Sequence, residues 1–514
     1  MNFLRDHLLS LILLTPMVAT ALLFFVPAAS RNAIRVLGVG AALLTTALSV
    51  WLFASFDPAA AAAGGHGGFA FVEKLPWVPS LGIAYQVGVD GISVAMVLLT
   101  TIVFLAGALV SWHISARPKD FYILLCALVS GVFGVFVSLD LFFFYFFYEL
   151  AVVPMYLLIG YWGSTNREYA TMKLTLYLTA GAVVALVGLL MLYFSGITKE
   201  PTFDLIALKE AVAAGGGLAA AKQNVLFPIL LFGFATIAPM WPLHSWSPGG
   251  HAAAPAAASM MHAGVLMKLG SYAIIRIALP LLPHGAVTWL PVVAVLCCFN
   301  IIYGGYVAMS QRDMKFVIGY SSSSHMGYVL LGIASVSVLG TSGAVFLMFA
   351  HGIMTALAFA LIGFFYDQTH TRMLDDLGGL MQQIPFVGVL FVMMAMASLG
   401  LPGFANFASE LMVVVGSWER YPIPTILALF GLVIGATYLL RTVRAAFLGP
   451  TNPRWNQVRD ARGVIEKAPF VLLVGVLLFF GFHPAPLVDL IETGVAPIVA
   501  AVQQAGAGAV ALGG

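Results

Sequence analysis

The stretch AAASMMHAGVLMKLGSYAIIRIALPL, residues 256–281, is longer than the ~20 apolar residues that cross a bilayer, yet it carries Lys268 near its middle. A charge at the centre of a membrane helix costs about 2.5–3.5 kcal/mol on insertion scales, so an unpaired, idle one is disfavoured. The stretch reads as a transmembrane helix holding a functional cation.

The rest of the chain supports that reading. Of 514 residues, 61% are hydrophobic and 9% charged, where a soluble domain carries about a quarter charged residues. Apolar runs recur along almost the whole length. They predict an all-α polytopic membrane protein of about fourteen spans, near residues 7–26, 33–55, 88–112, 120–138, 141–162, 170–196, 224–245, 256–281, 287–309, 315–336, 342–366, 384–416, 423–448 and 467–492. The first run is too long for a signal-peptide core and is kept as a span. No soluble domain is left over, so residues 1–514 form one integral domain.

An even count puts both ends on one side. Arg31, Arg35, Arg117, Lys119, Arg167, Arg312, Lys315, Arg372, Arg454, Arg459 and Arg462 fall on one face; Arg5, Lys74, Lys199, Lys209, Lys222 and Arg420 fall on the other. The richer face is the expected cytoplasmic one, with both termini opposite. A net charge of +2 without a basic tract excludes a nucleic-acid partner. Cys126, Cys297 and Cys298 lie in apolar runs without metal-site spacing and read as buried small hydrophobes. The Ala/Gly runs near 58–68 and 211–221 read as flexible connectors.

Two spans are interrupted. Residues 238–255 contain Pro239, Pro242, Pro248, Gly249, Gly250 and Pro255, and the twelfth span contains Leu399-Gly400-Leu401-Pro402-Gly403. Broken backbone at membrane depth is tolerated only inside protein or beside a hydrated cavity. A helix kink is the plainer alternative.

Most charged residues fall in loops or near helix ends; besides Lys268, three do not: Glu149 in the fifth span, Lys173 near the start of the sixth and Glu410 late in the twelfth. Burial raises carboxyl and lowers ammonium pKa values, bringing both towards working pH, and a neighbouring opposite charge reverses the shift. Moving one charge relative to another then loads or empties a proton site. His244, His262, His325 and His351 lie in or beside spans and can pass a proton through their two nitrogens. Tyr320 and Ser321 to Ser324 offer hydroxyls for a water chain beside His325, or simply small side chains for helix packing. His370 and Arg372 read as structural loop residues, and His244 and His251 lack the carboxylate or thiolate that would complete a metal site.

The fragments GVDGIS (88–93), DLFFFYFFYEL (140–150), AGVLMKLGSYAIIR (263–276), SSSSHMGYVLLGI (321–333), FAHGIMTALAF (349–359) and LGLPGFANFASE (399–410) resemble the antiporter-like subunits of bacterial NADH:quinone oxidoreductase, respiratory complex I, and among them the subunit M branch. The resemblance covers about residues 82–491. It implies two inverted repeats, each with a broken helix, the seventh and the twelfth. It further implies proton translocation in the bacterial inner membrane beside other membrane-arm subunits and lipids. The resemblance also implies that flavin, iron–sulfur clusters and quinone are found in partner subunits, with no cofactor and no redox chemistry expected in this chain. Glu149, Lys268 and Glu410 match the family's fifth-helix glutamate, central lysine and exit-side acid; His325 and His351 match histidines near its hydrated axis.

The chain departs from the family in the seventh helix. Ile237 stands where the family carries a lysine that pairs with the fifth-helix glutamate, and Gly249 where it carries an aspartate. His262 occupies a position that is apolar in the family and is a candidate replacement base. Two other readings stay open: a subunit of a cation/proton antiporter or membrane-bound hydrogenase, and a non-conducting spacer between pumps.

Overall fold

The computed structural model describes residues 2–164 and 166–513. Thirteen of the described helices are long and apolar enough to cross a membrane. The tenth span, Met314–Ala334, is also long enough, though Lys315, four serines and His325 dilute its apolar residues. The twelfth is split into Pro385–Ser398 and Ala405–Trp418.

The last of the thirteen, Ala485–Ala507, is not a crossing. The sequence places one span at 467–492, but the fourteenth helix, Val464–Phe482, stops at His483, whose backbone leaves the helical region because Pro484 follows it. The next helix then runs along one face. Leu490 and Thr493 press on Gly91, Gly494 lies against Asp90, Gln503 donates to the Val336 carbonyl at 2.9 Å, and Gly506 approaches Val287. Those contacts are span ends that alternate onto the same side: the starts of the third and ninth and the end of the tenth. A Cβ at Gly91 would strike the Leu490 carbonyl, so glycine is required where the surface helix crosses. Fourteen crossings remain.

The third, eighth and eleventh spans, Gly91–His113, Ala256–Leu281 and Val338–Thr369, are almost wholly enclosed, whereas the first, second, sixth, thirteenth and fourteenth bury only a minority of their residues. Phe25, Val36, Val153, Leu176, Phe430, Val433 and Phe479 on outer helices face outward. In a bilayer that apolar exterior meets lipid or neighbouring subunits.

One small sheet lies outside the spans. Ala70–Val78 and Ile83–Val89 form an antiparallel hairpin turned at Gly82, whose φ of +64° favours glycine. It docks on the fifth span's start: Leu139 N–H donates to Gln86 O at 2.8 Å, and Asp140 accepts from Ala84 N–H at 3.0 Å. Part of the first Ala/Gly connector is ordered as well, since Asp57 caps a short helix, Pro58–Ala63.

Candidate functional site

The enclosed spans carry polar side chains inward, and the breaks decide where these meet. In the eighth span, π-helical turns at His262–Leu266 and Ile274–Ala278 flank Lys268. Met267 N–H therefore bonds to His262 O, one residue further back than in an α-helix. The Ala263 carbonyl instead accepts from Nζ of Lys268. The same Nζ lies 2.9 Å from Nδ1 of His351. His351, in the eleventh span, stacks on His325 of the tenth with ring centroids 5.0 Å apart. Nε2 of His325 is 3.5 Å from Oε1 of Glu410. These four side chains, all 4% exposed or less, form one row across four spans.

The twelfth-span break builds the far end of that row. Gly400 and Gly403 adopt φ of +68° and +102°, and a Cβ on Gly400 would lie 2.5 Å from Oε2 of Glu410. The interrupted backbone turns the Ser398 carbonyl towards Nε2 of His325 at 3.3 Å, while Nδ1 donates to Ser321 O at 2.8 Å. Both ring nitrogens thus face acceptors, an arrangement that a cationic imidazole satisfies fully. Glu410 Oε1, Ser398 Oγ and both amide atoms of Asn406 have no hydrogen-bond partner among the described residues. A buried polar pocket of that kind is where water can bridge. Glu410 sits inside the helix Ala405–Trp418, not on a surface.

The seventh-span break is satisfied differently. The helix ends at Ile237 and resumes at Trp246. Asn300 of the ninth span donates to Pro239 O at 2.9 Å and accepts from Trp241 N–H at 2.5 Å, so one amide holds both freed backbone groups. Ile237 is fully buried against Gly270 of the eighth span, where any Cβ would collide with the Phe234 carbonyl. Glu149 is half-buried beside the Tyr145 hydroxyl and joins no ion pair among the described residues.

The remaining sequence candidates are not on the row. Lys173 lies over the Tyr169 ring and lines a cavity of about 380 Å³ with Ser245, Trp246, Gly249 and Arg372 on the arginine-rich face. His244 lies in the broken segment against Tyr303. His262 instead meets His251, ring centroids 4.1 Å apart. Ser323 and Ser324 bond to the carbonyls of Gly319 and Ile301, as packing serines do, while Ser321 Oγ accepts from Tyr438 at 2.7 Å.

Sequence reasoning missed a buried ion pair. Arg276 reaches Asp90, at the cap just outside the third span, with two hydrogen bonds of 2.7 and 2.5 Å. Burial alone would raise the Asp90 pKa; the Arg276 charge and hydrogen bonds and the Ser93 N–H hold it below the ordinary carboxylate value. The signal was present, since both residues lie in the motif fragments GVDGIS and AGVLMKLGSYAIIR. Nearby Lys209, on the short helix Leu205–Ala211, is pushed down to about 8 by burial and by repulsion from Arg276.

The family described as "NADH:quinone oxidoreductase/Mrp antiporter, TM" matches residues 138–435. An NADH-quinone oxidoreductase subunit M of Rhodobacter capsulatus is 36% identical over 508 residues, 96% of each chain. The F(420)H(2) dehydrogenase subunit M of Methanosarcina mazei is 35% identical over 491 residues, 94% of this chain and 96% of that one. A chain in the structure of respiratory complex I from Thermus thermophilus with bound NADH superposes with a TM-score of 0.84 at 29% identity, covering 95% of this chain and 99% of its own.

Proposed function

Because this chain belongs to the NADH:quinone oxidoreductase/Mrp antiporter transmembrane family, we propose that it is a proton-translocating membrane-arm subunit of the subunit M type in an NADH:quinone oxidoreductase. It is an integral membrane protein among neighbouring antiporter-like subunits. The observation that carries the function is the row Lys268, His351, His325 and Glu410, buried across the middle of the bundle. Redox chemistry, with its flavin, iron–sulfur clusters and quinone, is assigned to partner subunits. The membrane is assigned as the bacterial inner membrane, with both termini away from the cytoplasm.

In this mechanism only protons move through the chain. Lys268 donates to Nδ1 of His351, 2.9 Å away, and His351 releases a proton from Nε2, which has no protein partner. Stacked rings at 5.0 Å do not hydrogen-bond, so a bridging water completes the transfer to His325. Glu410, 3.5 Å from Nε2, takes the proton to the far side. Lys268 has no carboxylate partner among the described ion pairs, and its charge is held by the Ala263 carbonyl and His351. A neighbouring unit charge moved to ~10 Å acts on it with about 1.7 kcal/mol at an effective dielectric of about 20, more than a tenfold change in occupancy. Quinone reduction elsewhere in the complex supplies such a shift.

The test is proton pumping by the assembled complex in proteoliposomes, with electron transfer recorded in parallel, for wild type, Lys268→Ala and Glu410→Gln. Lower proton release per quinone with intact assembly is expected. Unchanged pumping in both variants would favour a non-conducting spacer. A second reading keeps the proton path and changes the electron donor, because the Methanosarcina mazei relative is as similar as the bacterial one. Co-purification with NADH-oxidising subunits decides between them.

A further inference from the structure

On the conducting reading above, the row from Lys268 to Glu410 needs a proton supply at its Lys268 end. Ile237 is apolar and fully buried, and Glu149 stands half-buried without a cation partner among the described residues. Beside Lys268, however, lies a second polar cluster that the row does not use. His262 is fully buried, and both its ring nitrogens lack a hydrogen-bond partner among the described residues. Its ring lies 4.1 Å from His251 and 5.2 Å from Trp246. Nε2 of His251 is 3.0 Å from Ser247 Oγ and 3.1 Å from Sδ of Met267, the residue before Lys268.

We propose that His262, with His251, is the loading station of this subunit, carrying protons from the arginine-rich face to Lys268. The proposal rests on the conducting function above. An apolar ring would fill the space between Trp246 and His251 equally well, whereas an imidazole there leaves two buried nitrogens unpaired unless they exchange protons or bind water. The local backbone is shaped for that ring. Gly250 lies opposite it, where a Cβ would come within 2.9 Å of His262 Cε1. The entrance is adjacent: the cavity of about 380 Å³ is lined by Trp246, Gly249 and Ala253, the helix turn that also carries His251. A proton taken by one nitrogen of His262 releases the proton on the other towards His251. His251, whose Nε2 lies 3.1 Å from Sδ of Met267 beside Lys268, passes one on to neutral Lys268. No electron moves and no bond other than N–H is made or broken.

The experiment uses the assembled complex in proteoliposomes and reads protons moved per quinone reduced with a pH-sensitive dye. The variants are His262→Phe, which keeps an aromatic ring, and His262→Gln, which keeps a polar side chain. Both are expected to fall to the Lys268→Ala ratio while assembly and electron transfer capacity persist. A wild-type ratio in either variant overturns the proposal, because packing or polarity alone then suffices. If both variants fail to assemble, Gly250→Ala crowds the imidazole without removing it. A reduced ratio there supports the loading role, and a wild-type ratio overturns it. A wild-type ratio in Lys268→Ala itself overturns the conducting function, and the loading role with it.

Discussion

The two interrupted spans meet the same physical demand in opposite ways. At the twelfth, the break hands its freed carbonyl and a carboxylate to one imidazole: Ser398 O and Glu410 both face His325. At the seventh, the freed groups go to the uncharged amide of Asn300, and the side chain at the break is Ile237. One half therefore binds backbone and mobile charge at a single point. The other separates them, with the backbone clasped by Asn300 and the buried imidazoles of His251 and His262 packed against each other elsewhere. Two interrupted spans thus do not imply two similar charge pairs.

His325→Ala gives the largest expected effect, because it severs the only described link between His351 and Glu410. A positioned proton carrier contributes about 100-fold or more, so single-turnover proton release should slow by at least that factor. A slowing of only a few-fold would mean that water alone spans the row and that the charge point at the twelfth break is dispensable.

Asn300→Leu should weaken the fold rather than the transfer steps. It leaves the buried Pro239 O without this partner, at a cost of about 1–3 kcal/mol, and frees the partly buried Trp241 N–H. The thermal unfolding midpoint in detergent should drop, with residual complexes still pumping. An unchanged midpoint would show that the seventh break is held by something other than this amide.

A control outside the membrane comes from Lys209. Its ammonium is pushed from 10.5 to about 8 in the folded protein. Between those values the unfolded chain holds a proton that the folded one lacks, so stability rises with pH across that window and is lower below it. Lys209→Met should flatten the rise in a thermal-shift series from pH 7 to 10. A slope that survives the substitution would assign the pH response to the buried row instead.

Glu149→Gln should have the smallest effect, a smaller loss of pumping than His262→Gln, since the structure gives this carboxylate no cation to switch. If the order reverses in parallel proteoliposome assays, the entry half still runs through the fifth span and the contrast between the two breaks collapses.

The sequence by itself determined that the chain crosses a membrane many times and where it is broken, because hydrophobic length and proline chemistry are local properties. It also singled out Lys268, His325, His351 and Glu410, since a charge or imidazole in an apolar run stands out wherever it lies. It could not tell that Glu149, Lys173 and His244 stay off the row, nor that His262, six residues from Lys268, packs against His251 on another segment. The end of the fourteenth span was misplaced at 492 for a related reason: apolar residues continue past His483-Pro484 into the next helix, Ala485–Gly513, and only its contacts with span ends set it apart. Which buried groups touch depends on helix rotation, on π turns such as His262–Leu266 and on the close approach allowed at Gly250 and Gly270. Those are set by packing between segments distant in sequence, and only the tertiary structure decided them.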